Sequence, residues 1–89
     1  MVTAFVLINV EDKMVNTSAD ALLRMPGVSE VHIVAGEYDI VAVVRVADNA
    51  TLANLLTNEI IRTPGVHRTK TLISLRGQAN FDLALLGPR

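Results

Sequence analysis

The chain has 89 residues, of which eight are basic and nine acidic, giving a formal charge of −1. That length is one domain with no room for a second, and the charge balance offers no general attraction to nucleic-acid phosphates. There is no cysteine, which excludes disulfides and thiolate metal sites and fits a reducing, cytoplasmic setting.

Residues Val2–Val10 read Val-Thr-Ala-Phe-Val-Leu-Ile-Asn-Val. The run is β-branched and too short for a typical helix, so it is a strand that begins the fold. No apolar run approaches the ~20 residues of a membrane span. The opening Met1-Val2-Thr3 has no basic segment, unlike a signal peptide. Residues 12–24 change period: Val15, Ala19, Leu22 and Leu23 line one face, and Lys13, Asn16, Thr17, Asp20 and Arg24 the other. Pro26-Gly27 ends this helix, because a residue before proline is pushed out of helical geometry.

A second strand is expected over 28–35, a tight connection at Gly36-Glu37-Tyr38, and a third strand over 39–47. Asp48 or Asn49 caps a second helix running to about Arg62, with Leu52, Leu55, Leu56 and Ile60 on one face. Pro64-Gly65 closes it, and 66–75 forms the fourth strand. The rest is a tail that carries Phe81, Leu83, Leu85 and Leu86, too apolar for a solvated end. We expect residues 1–76 to form the domain and 77–89 a tail used in oligomer contacts.

The chain repeats itself. Arg24-Met25-Pro26-Gly27-Val28 returns as Arg62-Thr63-Pro64-Gly65-Val66, offset by 38, and the same offset lays Ala4 and Val6 on Ala42 and Val44. Two β-α-β halves in succession make an α+β, ferredoxin-like βαββαβ fold: a four-stranded antiparallel sheet with two helices on one face. Strands one and three are expected in the middle. Ala4, Val6 and Ile8, with Ile40, Ala42, Val44 and Val46, then meet the helices.

The opposite face ought to be polar, yet it presents Phe5, Leu7, Val41 and Val43. An apolar centre flanked by Glu30 and His32 on one edge, and by Arg68 and Lys70 on the other, suits two sheets stacked face to face. We therefore expect a sheet-to-sheet dimer. The alternative is that the C-terminal tail folds back over the sheet.

Catalytic signals are weak. Ser18, Ser29 and Ser74 sit in no nucleophile motif, and His32 and His67 lie on different strands, which disfavours a metal site. The five glycines are scattered, so there is no phosphate loop. No catalytic residue, metal or cofactor is expected. Gly36-Glu37-Tyr38-Asp39 reads by composition first as an ordinary hairpin turn. Its turn amides could also hold a carboxylate, and Asp39 an ammonium. Thr69 and Thr71 point to one face of strand four.

Taken together, Pro26-Gly27-Val28, then the run from Val31 to Asp39 ending in Gly-Glu-Tyr-Asp, then Pro64-Gly65-Val66-His67-Arg68-Thr69-Lys70-Thr71, closely resemble the effector-binding (RAM) domain of the Lrp/AsnC regulators. The match covers roughly residues 2 to 76. It implies a dimeric α+β barrel type of assembly and commonly a ring of four dimers. It also implies an amino acid or related small molecule bound where dimers meet. The family's Gly-x-Tyr-Asp falls on Gly36, Tyr38 and Asp39, with Glu37 at the variable position, and its Thr-x-Thr on Thr69 and Thr71. The resemblance reverses the reading of the loop from plain turn to binding site. The family's helix-turn-helix is not in this sequence, so we expect the stand-alone form of the module. It would not bind DNA directly, and it would act by co-assembly with full-length relatives or by modulating an enzyme. Two rivals share the topology. A small monooxygenase-like enzyme usually places a His, Asn or Trp between sheet and helices; Trp is absent and His32 should face away. An ACT-type sensor typically has a glycine after strand one, where this chain has Asn9-Val10-Glu11-Asp12.

Overall fold

In chain order the elements are β1 (Val2–Val10), α1 (Val15–Leu23), β2 (Val28–Ile33), β3 (Ile40–Val46), α2 (Asn49–Asn54) and β4 (Val66–Ile73), with a π-helical segment, Leu55–Ile60, running on from α2. This computed structural model describes residues 1–80. The tail residues Phe81, Leu83, Leu85 and Leu86 lie outside the described residues.

The strands form one antiparallel sheet in the order β2-β3-β1-β4. β1 pairs with β3 from Val2↔Val46 to Ile8↔Ile40. Alternation along both strands then sends Ala4, Val6, Ile8, Ile40, Ala42 and Val44 to one face, where each is fully buried. Ala19 and Leu22 from α1, Leu52 from α2, and Leu55 and Ile60 from the π-helical segment complete that cluster. The sheet has one face packed against helices, as the ferredoxin-like reading requires.

The internal repeat extends to hydrogen bonds. Met25 N–H donates to Leu22 C=O and Val28 N–H to Met25 C=O; 38 residues on, Thr63 N–H donates to Ile60 C=O and Val66 N–H to Thr63 C=O. Each Pro-Gly closes its helix with the same pair of tight turns. At Gly65 (φ +90°) a β-carbon would lie 2.5 Å from Ser18 Oγ and 2.8 Å from Met14 Cβ, so glycine is required there by both backbone and space. Ser18 is fully buried and donates to Pro64 C=O at 2.7 Å, tying α1 to the turn before β4.

Several boundaries differ from the sequence reading. α1 begins at Val15 rather than at residue 12, because Lys13 takes a left-handed conformation (φ 70°) and Met14 N–H bonds Glu11 C=O in a turn. Leu23 is exposed rather than part of the buried face. β2 stops at Ile33, not residue 35, and β4 at Ile73, not residue 75; β3 is trimmed by one residue at each end. The π-helical segment replaces the expected continuation of α2. Leu55 and Ile60 are five apart, about 140° round an α-helix from each other. The wider turn, with Ile61 N–H reaching Leu56 C=O, lets both be buried. Asp48 caps α2 as expected: its Oδ1 accepts from Thr51 N–H at 2.8 Å, a bond that holds its carboxyl below the ordinary range.

Candidate functional site

Residues 34–39 link β2 to β3 at the end of the sheet where β1 finishes. Val34 N–H donates to Asp39 C=O at 2.9 Å, closing the loop. Gly36 sits at φ +132° with open space about it, so glycine is required here by conformation alone. Three bonds fasten the loop to β1. Asp39 N–H donates to Ile8 C=O at 2.9 Å, Val10 N–H donates to Asp39 Oδ2 at 2.9 Å, and Asn9 Nδ2 donates to Glu37 C=O at 2.8 Å. The pairing of β1 with β4 shifts register between Asn9 and Val10, and the Asp39 carboxylate takes the Val10 N–H there. Asp39 therefore has a structural task that spacing alone did not reveal. Its Oδ1 makes no hydrogen bond among the described residues. Tyr38 is half-buried and Glu37 exposed.

Thr69 and Thr71 pair with Ile8 and Val6 and so face the helix side of β4, both half-buried. Thr69 shares a row with Ile8 and Ile40, which puts it two strand spacings, roughly 10 Å, from the residue that follows Asp39. Loop and threonines thus flank β1 and do not converge on one point within a single chain.

On the open face the register sets Glu30, Val43, Phe5 and Leu72 in one row, and His32, Val41, Leu7 and Lys70 in the next. Val43 is only 6% exposed, because neighbours on both sides already cover it. It is thus not part of the wet patch that the sequence reading described. The exposed apolar surface is instead Phe5 (38%) with Leu72 (48%), which that reading did not include, beside half-buried Leu7 and Val41. At the rim Glu30 accepts from His32 at 3.0 Å and lies 3.6 Å from Arg45, and these partners, His32 first, hold its carboxyl below the ordinary value. A cleft of about 460 Å³, lined by Thr3, Phe5, Arg45, Ser74, Arg76 and Gln78 among others, opens beside Phe5 at the far end of the sheet from the loop.

Among the described residues no cluster of three or more His, Cys, Asp or Glu is placed to hold a metal ion, and no helix is long and apolar enough to cross a membrane. His67 lies 3.9 Å from Glu11, apart from His32. Asn9, whose Oδ1 accepts from Arg68 Nη2 at 3.4 Å, was not singled out for the site from sequence, and Arg68 was named there only as a charge at the sheet rim. The available signal was the one amide that interrupts the apolar run of β1.

The Lrp/AsnC ligand binding domain matches residues 3–78 of this chain. The chain belongs to that family. An HTH-type transcriptional regulator of Pyrococcus furiosus is 39% identical over 75 residues, 81% of this chain and 50% of the relative. The chain thus spans about half the length of the curated relatives it matches. A solved protein of Thermus thermophilus has TM-score 0.83 at 40% identity, covering 90% of this chain and 100% of the other. The feast or famine regulatory protein of M. tuberculosis, solved with L-methionine, has TM-score 0.76 at 32% identity, covering 90% of this chain and 54% of the other.

Proposed function

We propose that this domain binds a free amino acid and that binding tunes the assembly of sheet-to-sheet dimers, serving transcriptional or metabolic regulation rather than turnover. The observation that carries the reading is the L-methionine complex of a relative 32% identical over nine-tenths of this chain. The chemistry of the loop agrees with it. A zwitterion needs donors for its carboxylate and an acceptor for its ammonium. Turn amides near Gly36 and the hydroxyls of Thr69 and Thr71 are donors, and the uncommitted Oδ1 of Asp39 is an acceptor.

Because loop and threonines sit on opposite sides of β1, a ligand that touches both is shared between neighbouring copies. Such a ligand favours the assembled state. Phe5, Leu7 and Val41, joined by Leu72, form the dimer face in this reading, with Val43 beneath them already covered within the single chain. Dimers assemble further, commonly as four. The charge balance of this domain gives it no general attraction to duplex DNA, and its output runs through co-assembly with regulators of its family or through modulation of an enzyme.

A thermal-shift screen of the twenty amino acids, with L-methionine included, tests this. At a hundred times its dissociation constant a ligand adds ~2.7 kcal/mol, a rise of roughly ten degrees or more for a domain this small. No shift with any amino acid overturns the reading.

A further inference from the structure

Asn9 stands where two surfaces meet. It belongs to the open face, two residues beyond Leu7 and paired with Arg68 on β4. Its Oδ1 accepts from Arg68 Nη2 at 3.4 Å while its Nδ2 donates to Glu37 C=O at 2.8 Å. The orientation of this amide is not arbitrary. A guanidinium can only donate and a carbonyl can only accept, so both partners demand the same flip. An amide whose oxygen is held by a cation is also the better donor through its nitrogen.

We infer that Asn9 is a positioning residue that couples the open sheet face to the Gly36–Asp39 loop, with Arg68 as its outer partner. The inference rests on the proposed function for what the loop and the face do. The relay itself is a property of the single chain. Covering the open face removes water from the Arg68–Asn9 contact and strengthens it. That fixes the Asn9 amide, and the amide fixes the loop carbonyl at Glu37. Coupling of this kind is reciprocal, so a ligand that orders the loop strengthens the covered face by the same factor.

Residue-resolved hydrogen exchange on the full, ligand-free chain tests the relay independently of whether any amino acid binds. Wild type, Asn9→Asp, Asn9→Ala and Arg68→Ala are compared at concentrations where light scattering gives all four the same mass. Asn9→Asp keeps an acceptor for Arg68 but loses the donor to Glu37. It should speed exchange at the Val34 and Asp39 amides, the loop N–H groups that are hydrogen-bonded, about threefold to tenfold, as Asn9→Ala does, the range set by the loss of one net hydrogen bond. Arg68→Ala, which touches no loop atom, should speed the same amides at least about twofold. Residues 41–44 of β3 should keep wild-type rates in all four. Wild-type loop exchange in Arg68→Ala or in Asn9→Asp overturns the proposal, and so does acceleration spread equally over residues 41–44.

Discussion

The Asp39 carboxylate takes the main-chain N–H of Val10 at 2.9 Å, so a side chain from the loop completes the hydrogen bonding of β1 where its pairing with β4 shifts. One oxygen is committed to the fold and the other makes no hydrogen bond among the described residues, which leaves it for the ligand in the proposed function. Structure and binding can therefore be separated at this residue. Asp39→Asn retains an oxygen for Val10 N–H and removes the charge. It is expected to melt near wild type and to lose the amino-acid-induced shift. Asp39→Ala strands the Val10 N–H, at a cost of about 1–3 kcal/mol, and loses the shift as well. Paired melts with and without ligand check both.

On the proposed sheet-to-sheet dimer, Phe5→Asp is expected to give monomers at micromolar concentration and wild type to give dimers. A carboxylate in the middle of a covered apolar face is unpaired and costs roughly 3–5 kcal/mol of association. In the lone chain Phe5 is 38% exposed, so the folded monomer accepts the change. Light scattering reads the mass and circular dichroism the fold.

Gly65→Ala and Gly36→Ala should separate two reasons for glycine. Both positions have positive φ, which strains an L side chain by about 1–3 kcal/mol. Only Gly65 also faces Ser18 Oγ and Met14 Cβ, an overlap adding about 1–3 kcal/mol. Denaturant melts should show Gly65→Ala destabilised about twice as far. Gly36→Ala, with open space around it, should act on ligand binding more than on stability.

Glu30 predicts a modest acid dependence. Its carboxyl is held below the ordinary value of 4.5, first by the hydrogen bond from His32 and then by Arg45. A depressed carboxyl stabilises the fold above its unfolded pKa, and that contribution is lost as pH falls through the folded value. Glu30→Gln should therefore melt below wild type at about pH 6, and the gap should close as pH drops below 4.5. The groups are exposed, so the gap is small and shrinks with salt.

Most of the topology was legible because it rests on local signals. The alternation of Ala4, Val6 and Ile8 marks a sheet face, and the Pro-Gly-Val recurrence marks two equivalent helix exits. The details that escaped are those settled by distant neighbours. Lys13 is left-handed where the chain turns into α1 and Glu11 N–H bonds Gly65 C=O. The π-helical segment exists because Leu55 and Ile60 must both reach a core built largely by the sheet. That Val43 is covered depends on which residues of β1 and β2 lie opposite it, which no spacing within β3 discloses. In the candidate site, Gly36, Tyr38 and Asp39 read by type as an ordinary turn, and only the family resemblance marked them as a site. The clamp through Asn9 and Val10 needed the register.

The seam between the two halves falls in the loop at 34–39, whereas the outer ends of the halves are neighbours: Ser74 N–H donates to Thr3 C=O at 2.9 Å. A circular permutant that joins the end of β4 to the start of β1 and opens the chain at Glu37 would keep every strand pair. It would also cut the candidate site in two. The sheet and its helices would keep their packing under either order of the halves, while the proposed site at the loop would depend on the order in which the halves are joined.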